Sequence, residues 1–416
     1  MAENKKVLVV GGGMSGLTAA VEVAEAGLEA HIVEKNPYLG GRVTQLNKYF
    51  WKLCPPNCGL EIQFKRIKNS PLVKFYTLAE VEEIKGEEGN FDVTIKLHPR
   101  YVNDKCVGCD ACAQACPSYR DNEFNFGMNK SKAAYLPHEQ AFPFQYVIDA
   151  HACPKECMKP CLEACKYNAI DLDMKPEKVT LNVGAVVLAT GWNPYDPAKL
   201  DNLGAGLNKN VISNMMLERL AASDGPTQGK IVRPSDGKAV KNVAFVQCAG
   251  SRDENHLAYC SYICCLASLK HAMYIREQYP DSKITIYYID IRTPGLYEPR
   301  FYWKIKEDPN VTFIKGKVAG ITEGAGGDVV LEVEDIYAGA KKKGTFDMVV
   351  LATGMEVKGA KFGTDVPFSA DGLVDDAALK KGMYAVGTMK SPADVARSVQ
   401  DATAAAIKSI QSVNRR

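Results

Sequence analysis

The stretch Lys6-Val7-Leu8-Val9-Val10-Gly11-Gly12-Gly13-Met14-Ser15-Gly16-Leu17 decides the fold of this chain. Val7–Val10 is an uninterrupted apolar, mostly β-branched run, as expected of a strand buried on both faces. Three glycines in the spacing G-x-G-x-x-G follow, and a helical pattern runs from Leu17 to Glu25. A second strand, Ala30–Val33, ends at the acidic Glu34. A glycine fingerprint alone is weak; between a strand and a helix, with a carboxylate closing the next strand, it specifies a dinucleotide site. Gly11 permits the tight turn, Gly13 lets backbone approach a pyrophosphate, and Gly16 allows helix and strand to pack closely. The helix start, with Met14 and Ser15, offers amide donors and a positive dipole end to phosphate. Glu34 is placed to accept from an adenosine ribose, and Lys35 adjoins it.

Further along, two segments match each other: Val183–Gly191 (VGAVVLATG) and Phe346–Gly354 (FDMVVLATG). Each reads as a buried strand ending in Ala-Thr-Gly. Between them, Asn242–Gln247, a helix from about Leu257 to Glu277, and a strand over Lys283–Asp290 form a second β-α-β unit. Gly382–Gly387 reads as a last strand and Ala393–Ser412 as an Ala-rich helix. Residues 100–178 break this rhythm with eight cysteines and little apolar periodicity. The expected organisation is a first dinucleotide-binding part over 1–99, an insert over 100–178, and a second part over 179–240. A second dinucleotide-binding-like unit over 241–344 and a closing part over 345–416 complete it.

With Gly40-Gly41-Arg42 after Glu34, the two Ala-Thr-Gly strands and the late Tyr384–Gly387 strand, the chain resembles the two-dinucleotide-binding-domain flavoproteins of the disulfide-reductase type. The resemblance implies an α/β fold with FAD at the N-terminal site. It also implies contacts from Gly41, Arg42, Ala189, Thr190, Gly191, Gly354 and Gly387. Most members of that superfamily have Gly-Asp where this chain has Gly387-Thr388. In the second unit, Cys248-Ala249-Gly250-Ser251-Arg252 stands where a nicotinamide-binding fingerprint would be, so loss of NAD(P)H binding is expected.

The 14 cysteines fall into groups. In a reducing compartment such groups are metal ligands or catalytic thiols more often than disulfides. Cys106-x2-Cys109-x2-Cys112-x3-Cys116-Pro117 is the bacterial ferredoxin run, in which three close thiolates serve one [4Fe–4S] cluster and the fourth serves a second. A zinc site would more often pair its ligands at a distance. Cys153, Cys157, Cys161 and Cys165 follow at uniform gaps, with Lys166 where proline is usual. Crossed ligation would join Cys106, Cys109, Cys112 and Cys165 in one cluster, and Cys116, Cys153, Cys157 and Cys161 in another. One cluster with structural thiols is the alternative. Cys248, Cys260, Cys264 and Cys265 suit a further cluster, a redox disulfide or plain packing. If the helix includes both, Cys260 and Cys264 share a face. Cys54-Pro55-Pro56-Asn57-Cys58 follows the Arg42 region and could face the flavin.

Composition is that of a globular protein: 416 residues, 46% apolar, 24% charged, net charge +2. Nothing in it points to nucleic acid. No stretch of about 18 apolar residues occurs without a charge, so no direct membrane span is expected. With no apolar signal core near Met1, a cytoplasmic location is expected. The six histidines are scattered, and no Ser/His/Asp triad is arguable.

Gln247–Asn255 (QCAGSRDEN), Tyr259-Cys260-Ser261, Cys264-Cys265 and Asp290–Gly295 (DIRTPG) resemble the flavin subunit of heterodisulfide reductase, the HdrA family, as does a ferredoxin inserted between flavin-binding halves. The HdrA N-terminal extension and C-terminal ferredoxin are not in this sequence. That short form is similar to the branch serving quinone-interacting membrane-bound oxidoreductases. The resemblance implies an electron-transfer role beside a second HdrA-like flavoprotein and a membrane haem b subunit. It implies menaquinone and adenylylsulfate reductase at the two ends of the electron path, and a peripheral position at the inner face of the cytoplasmic membrane.

Overall fold

The computed structural model describes residues 4–414 apart from 51, 155–156, 296 and 358–361. Two five-stranded parallel sheets form its frame. The first orders its strands Met383–Ala385, Ala185–Leu188, Lys6–Val10, Glu29–Glu34 and Val73–Thr77. The second orders Val211–Ser213, Met348–Thr353, Asn242–Ala249, Lys283–Tyr288 and Val311–Lys315. Parallel strands covered on both faces need apolar residues throughout, and Val7, Leu8 and Val9 are wholly buried.

Each sheet also carries a three-stranded antiparallel meander. Ala79–Glu87, Asn90–Leu97 and Glu177–Val183 form one, and Val318–Glu323, Val329–Asp335 and Ala340–Phe346 form the other. In both, the last meander strand feeds at once into an Ala-Thr-Gly strand of the parallel sheet. The matched segments VGAVVLATG and FDMVVLATG are therefore equivalent corners of two similar units. The cysteine-rich segment leaves the first meander after Leu97 and returns at Glu177, within a few residues of the expected insert bounds of 100 and 178. It packs around its own small core of Val102, Cys112, Cys116, Ala134, Tyr146, Ile148, Cys161 and Ala169.

Most expected elements lie within a few residues of their positions. The first helix begins at Met14 rather than Leu17, and the last runs Val395–Asn414. The larger correction concerns the helix expected from Leu257, which begins at Cys264 and ends at Gln278. Residues 250–262 commit their amides to local turns: Leu257 N donates to Gly250 O, Arg252 N to Tyr259 O, and Asp253 N to Leu257 O. The Ser251 and Ser261 hydroxyls lie 2.8 Å apart. Helical bonds become available only when Ala267 N reaches Ile263 O.

Candidate cofactor cavity and cysteine centres

The Gly11–Gly16 turn is built for close approach. Gly11 has φ +111°, and a Cβ there would meet Ala189 O at 2.3 Å. A Cβ on Gly16 would fall 1.9 Å from Gly11 O. These two glycines shape the turn from behind. Gly13 is different: the nearest atom to a Cβ there is Gly41 Cα at 3.8 Å, and the residue lines a large cavity. That cavity measures about 420 Å³. Met14, Ser15, Glu34, Lys35, Gly41, Arg42, Ala189, Thr190 and Gly191 line it as well.

Glu34 is buried. Its carboxylate accepts from Gly12 N at 2.7 Å and from Asn36 N and Nδ2 at 2.8 Å each. Burial raises its pKa, and the Asn36 and Gly12 amides oppose the rise. Arg42 is fixed by Trp192 O, Gln45 Oε1 and Asn193 Oδ1, the last at 2.6 Å. It ties the Gly40-Gly41 corner to the first Ala-Thr-Gly loop.

Two expected contacts lie elsewhere. Gly354 is off the cavity; a Cβ there would strike the hydroxyls of Ser251 and Ser261. In the second unit the Ala-Thr-Gly corner faces the cysteine turn, and Met355 is its residue at the cavity. Gly387 packs against the Ser15 hydroxyl, and its neighbour Thr388 lines the cavity. Gly387 N donates to Asp401 Oδ2 at 2.8 Å, so an aspartate from the last helix serves the strand end that lacks one.

Sequence patterning did not mark a buried charged group in the cavity lining. Glu218, Lys270 and His271 line it, each almost fully enclosed. Glu218 Oε1 accepts from Lys270 Nζ at 2.6 Å and meets His271 Nε2 at 2.5 Å, and Asn47 N donates to Oε2 at 3.0 Å. Burial would raise the Glu218 pKa, but the Lys270 charge and His271 bring it down to about 2. Burial lowers the His271 pKa, and the Glu218 carboxylate opposes the fall. Lys270 also donates to Lys48 O at 2.6 Å and lies 4.9 Å over the Phe50 ring. The available signal was a Lys-His pair within the mostly apolar run Leu266–Ile275. A charge retained in such a setting needs a buried partner.

The insert gathers its thiols in two neighbourhoods. Burial pushes Cys112 up to about 12, with Cys106 and Cys109 acting on it. Burial also raises Cys153 and Cys161, with Cys116 and Cys157 adding to both. Cys165 Sγ accepts from Ala169 N at 3.4 Å and packs with Cys106 on the insert's core. Among the described residues no three Cys, His, Asp or Glu side chains converge on one ion-sized point.

The helix correction removes the shared helical face of Cys260 and Cys264, yet Cys248 and Cys260 still lie near enough to Cys264 and Cys265 to act on them electrostatically. Cys248 sits at the C-terminal end of its strand with φ +55°, beside an irregular register between Val246 and Ala249. Cys264 and Cys265 open the helix, and Cys260 lies on the turn before it. Burial raises Cys264 well above an ordinary thiol and Cys265 to about 11, with Cys248 and Cys260 adding to both. Burial raises the Tyr49 pKa, with Cys58 and Cys54 adding to it, and Tyr49 lines the cavity.

Residues 6–55 match the family described as FAD dependent oxidoreductase, and residues 99–119 match the 4Fe-4S binding domain. The HdrA protein of the H(2):CoB-CoM heterodisulfide,ferredoxin reductase of Methanothermobacter marburgensis is 37% identical over 97% of this chain and 63% of its own length. An HdrA iron-sulfur protein of the CoB--CoM heterodisulfide reductase of Methanopyrus kandleri is 39% identical, over 97% and 63%. The chain thus spans a little under two thirds of these relatives. Thioredoxin reductases share the fold: that of T. acidophilum at TM-score 0.52 and 16% identity, covering 98% of both chains, and that of Lactococcus lactis at 0.53 and 14%, also 98% of both. Over nearly its whole length the chain is accordingly similar to the HdrA proteins of heterodisulfide reductases, and its family matches give it FAD and [4Fe–4S] chemistry.

Proposed function

We propose that this chain is the FAD- and iron–sulfur-containing electron-transfer subunit of a larger redox complex. The observation carrying this reading is the cavity itself, walled by both parallel-sheet units and by the cysteine-rich insert. FAD lies there, with its phosphates at Gly13, Met14 and Ser15 and its adenosine ribose at Glu34. Lys35, Gly41, Arg42, Ala189, Thr190 and Gly191 complete the contacts. Lys270, held by Glu218, faces the cavity as a fixed buried cation able to steady negative charge on the cofactor. Two clusters occupy the insert, one on Cys106, Cys109, Cys112 and Cys165, the other on Cys116, Cys153, Cys157 and Cys161. A further cluster takes Cys248, Cys260, Cys264 and Cys265. FAD supplies an exchange between two-electron and one-electron traffic, and the clusters carry single electrons.

Within the HdrA relatives, the chain fits the QmoA type, of the quinone-interacting membrane-bound oxidoreductase. Its partners are then a second HdrA-like flavoprotein and a membrane haem b subunit, with menaquinone and adenylylsulfate reductase at the ends of the path in sulfate respiration. Such a protein sits at the inner face of the membrane through its partners. No described helix is long and apolar enough to cross a membrane. The second reading, a component of a soluble heterodisulfide-reductase-type complex, is favoured by the names of the relatives. Anaerobic isolation of the native complex decides between them. Haem b in the preparation and flavin bleaching by a menaquinol analogue are expected. Reduction by ferredoxin with no response to quinol would favour the second reading.

A further inference from the structure

The cysteine-rich segment does more at the cavity than stand beside it. Between Cys116 and Cys153 it sends Arg120, Phe124 and Tyr135 into the lining. Tyr38, four residues past Glu34, meets the Phe124 ring edge-on at 5.8 Å, so this wall belongs to the Glu34 end. The Arg120 guanidinium lies 4.4 Å from the centre of the Tyr135 ring. Asp149 Oδ2 accepts from Arg120 Nε at 2.8 Å, and Glu123 lies 3.3 Å from the guanidinium. Asp149 in turn accepts from His151 N and Ala152 N, and its own carbonyl accepts from Cys153 N. Arg120 is thus held by the turn that leads into Cys153.

The wall is locked to both sheet units. Gln45 Nε2 donates to Phe124 O at 3.1 Å, and the wholly buried Arg219 donates to Asn125 Oδ1 at 2.7 Å while lying over the Phe124 ring. A planar guanidinium over an aromatic ring is a preformed stacking surface. Its charge is already answered by Asp149 and Glu123, so its contribution is shape and polarisability rather than phosphate neutralisation.

We propose that the cysteine-rich segment completes the dinucleotide site, with Arg120 and Tyr135 forming the face against which the adenosine half of FAD lies. This rests on the reading of the cavity as the FAD site. It makes the metal-binding segment a structural part of flavin binding, with Asp149 as the link between them.

The test uses the full chain, prepared anaerobically and freed of FAD, titrated with FAD, ADP and FMN by calorimetry or flavin fluorescence. Stacking of a base on such a face predicts about tenfold weaker binding of FAD and ADP in Arg120→Ala and in Tyr135→Leu, with FMN unchanged. Tyr135→Leu keeps the Arg120–Asp149 tether and guards against a folding defect in the arginine variant. Wild-type affinity for FAD and ADP in both variants overturns the inference, as does an equal loss for FMN, which would mean the whole cavity had loosened. Gly13→Val separates the two readings. If it abolishes FAD binding while Arg120→Ala and Tyr135→Leu leave it intact, only the present inference falls. If it leaves FAD bound at full affinity, the FAD assignment falls and takes this inference with it.

Discussion

Single atoms decide much at the glycine turn. The Gly16 Cα faces Gly11 O so closely that a methyl group would sit 1.9 Å from that oxygen. Gly16→Ala is expected to destabilise the fold by about 3 kcal/mol or more, since backbone on both sides cannot yield; a thermal melt checks it. Gly13→Val should leave the fold intact, because the space beside Gly13 is cavity, yet remove FAD from the purified protein. Retention of full FAD by a folded variant would contradict the assignment. His138 offers a pH test. Burial holds its pKa down to about 4, below the ordinary 6.5, so the folded protein keeps it neutral where the unfolded chain protonates it. Stability from this group is therefore full above about pH 6.5 and is lost as pH falls toward 4. The integrated effect is about 3 kcal/mol. His138 stacks on Phe124 at 4.8 Å, so His138→Phe preserves the packing and should flatten the stability curve over that window in pH-dependent denaturant melts.

At the scale of elements, the second β-α-β unit shows how one topology is diverted to different chemistry. Its strand ends on the Cys248 turn, where a dinucleotide-binding unit would place glycines. The turn is filled: a Cβ on Gly250 would lie 2.6 Å from the Tyr195 ring, whose hydroxyl is 2.8 Å from His256 Nδ1. With cysteines at the helix start and Tyr195 over the turn, no phosphate cradle for NADH is expected there. Stopped-flow mixing with NADH or NADPH should leave the flavin oxidised on the timescale of turnover. Bleaching at several per second would refute this. The alternation of apolar strands and helices could be read from sequence because parallel strands buried on both faces must be apolar throughout. The start of the Cys264 helix could not. Whether residues 250–262 form a helix or turns depends on Ser251, Ser261 and Leu257 packing under Gly354, a residue about 100 positions away.

Across the whole molecule, iron content is the simplest measure of the proposed cysteine centres. Three cubanes would give about twelve irons per chain. Cys153→Ser should lower the count by about four, and Cys264→Ser by about four independently, as read by iron analysis and low-temperature EPR. An unchanged count for Cys264→Ser would make the last group structural. Glu218 adds a test of the cavity lining: Glu218→Gln leaves Lys270 as an uncompensated buried charge and is expected to cost about 3–5 kcal/mol. Chemical denaturation at neutral pH measures it.

The glycine turn, the carboxylate after it, the paired Ala-Thr-Gly strands and the ferredoxin spacing were all legible in the order of residues. They are local patterns in which the chemistry needs particular residues a few positions apart. Packing in three dimensions was needed to turn Gly354 toward a serine pair rather than the cavity, and to bring Asp401 to the strand end at Gly387. It was needed as well to join Glu218 to Lys270 and His271, and to close the cavity with Arg120 and Tyr135. Each of these joins side chains from elements distant along the chain. Their partners are set by how two sheets and an insert pack, and no spacing in the sequence records that.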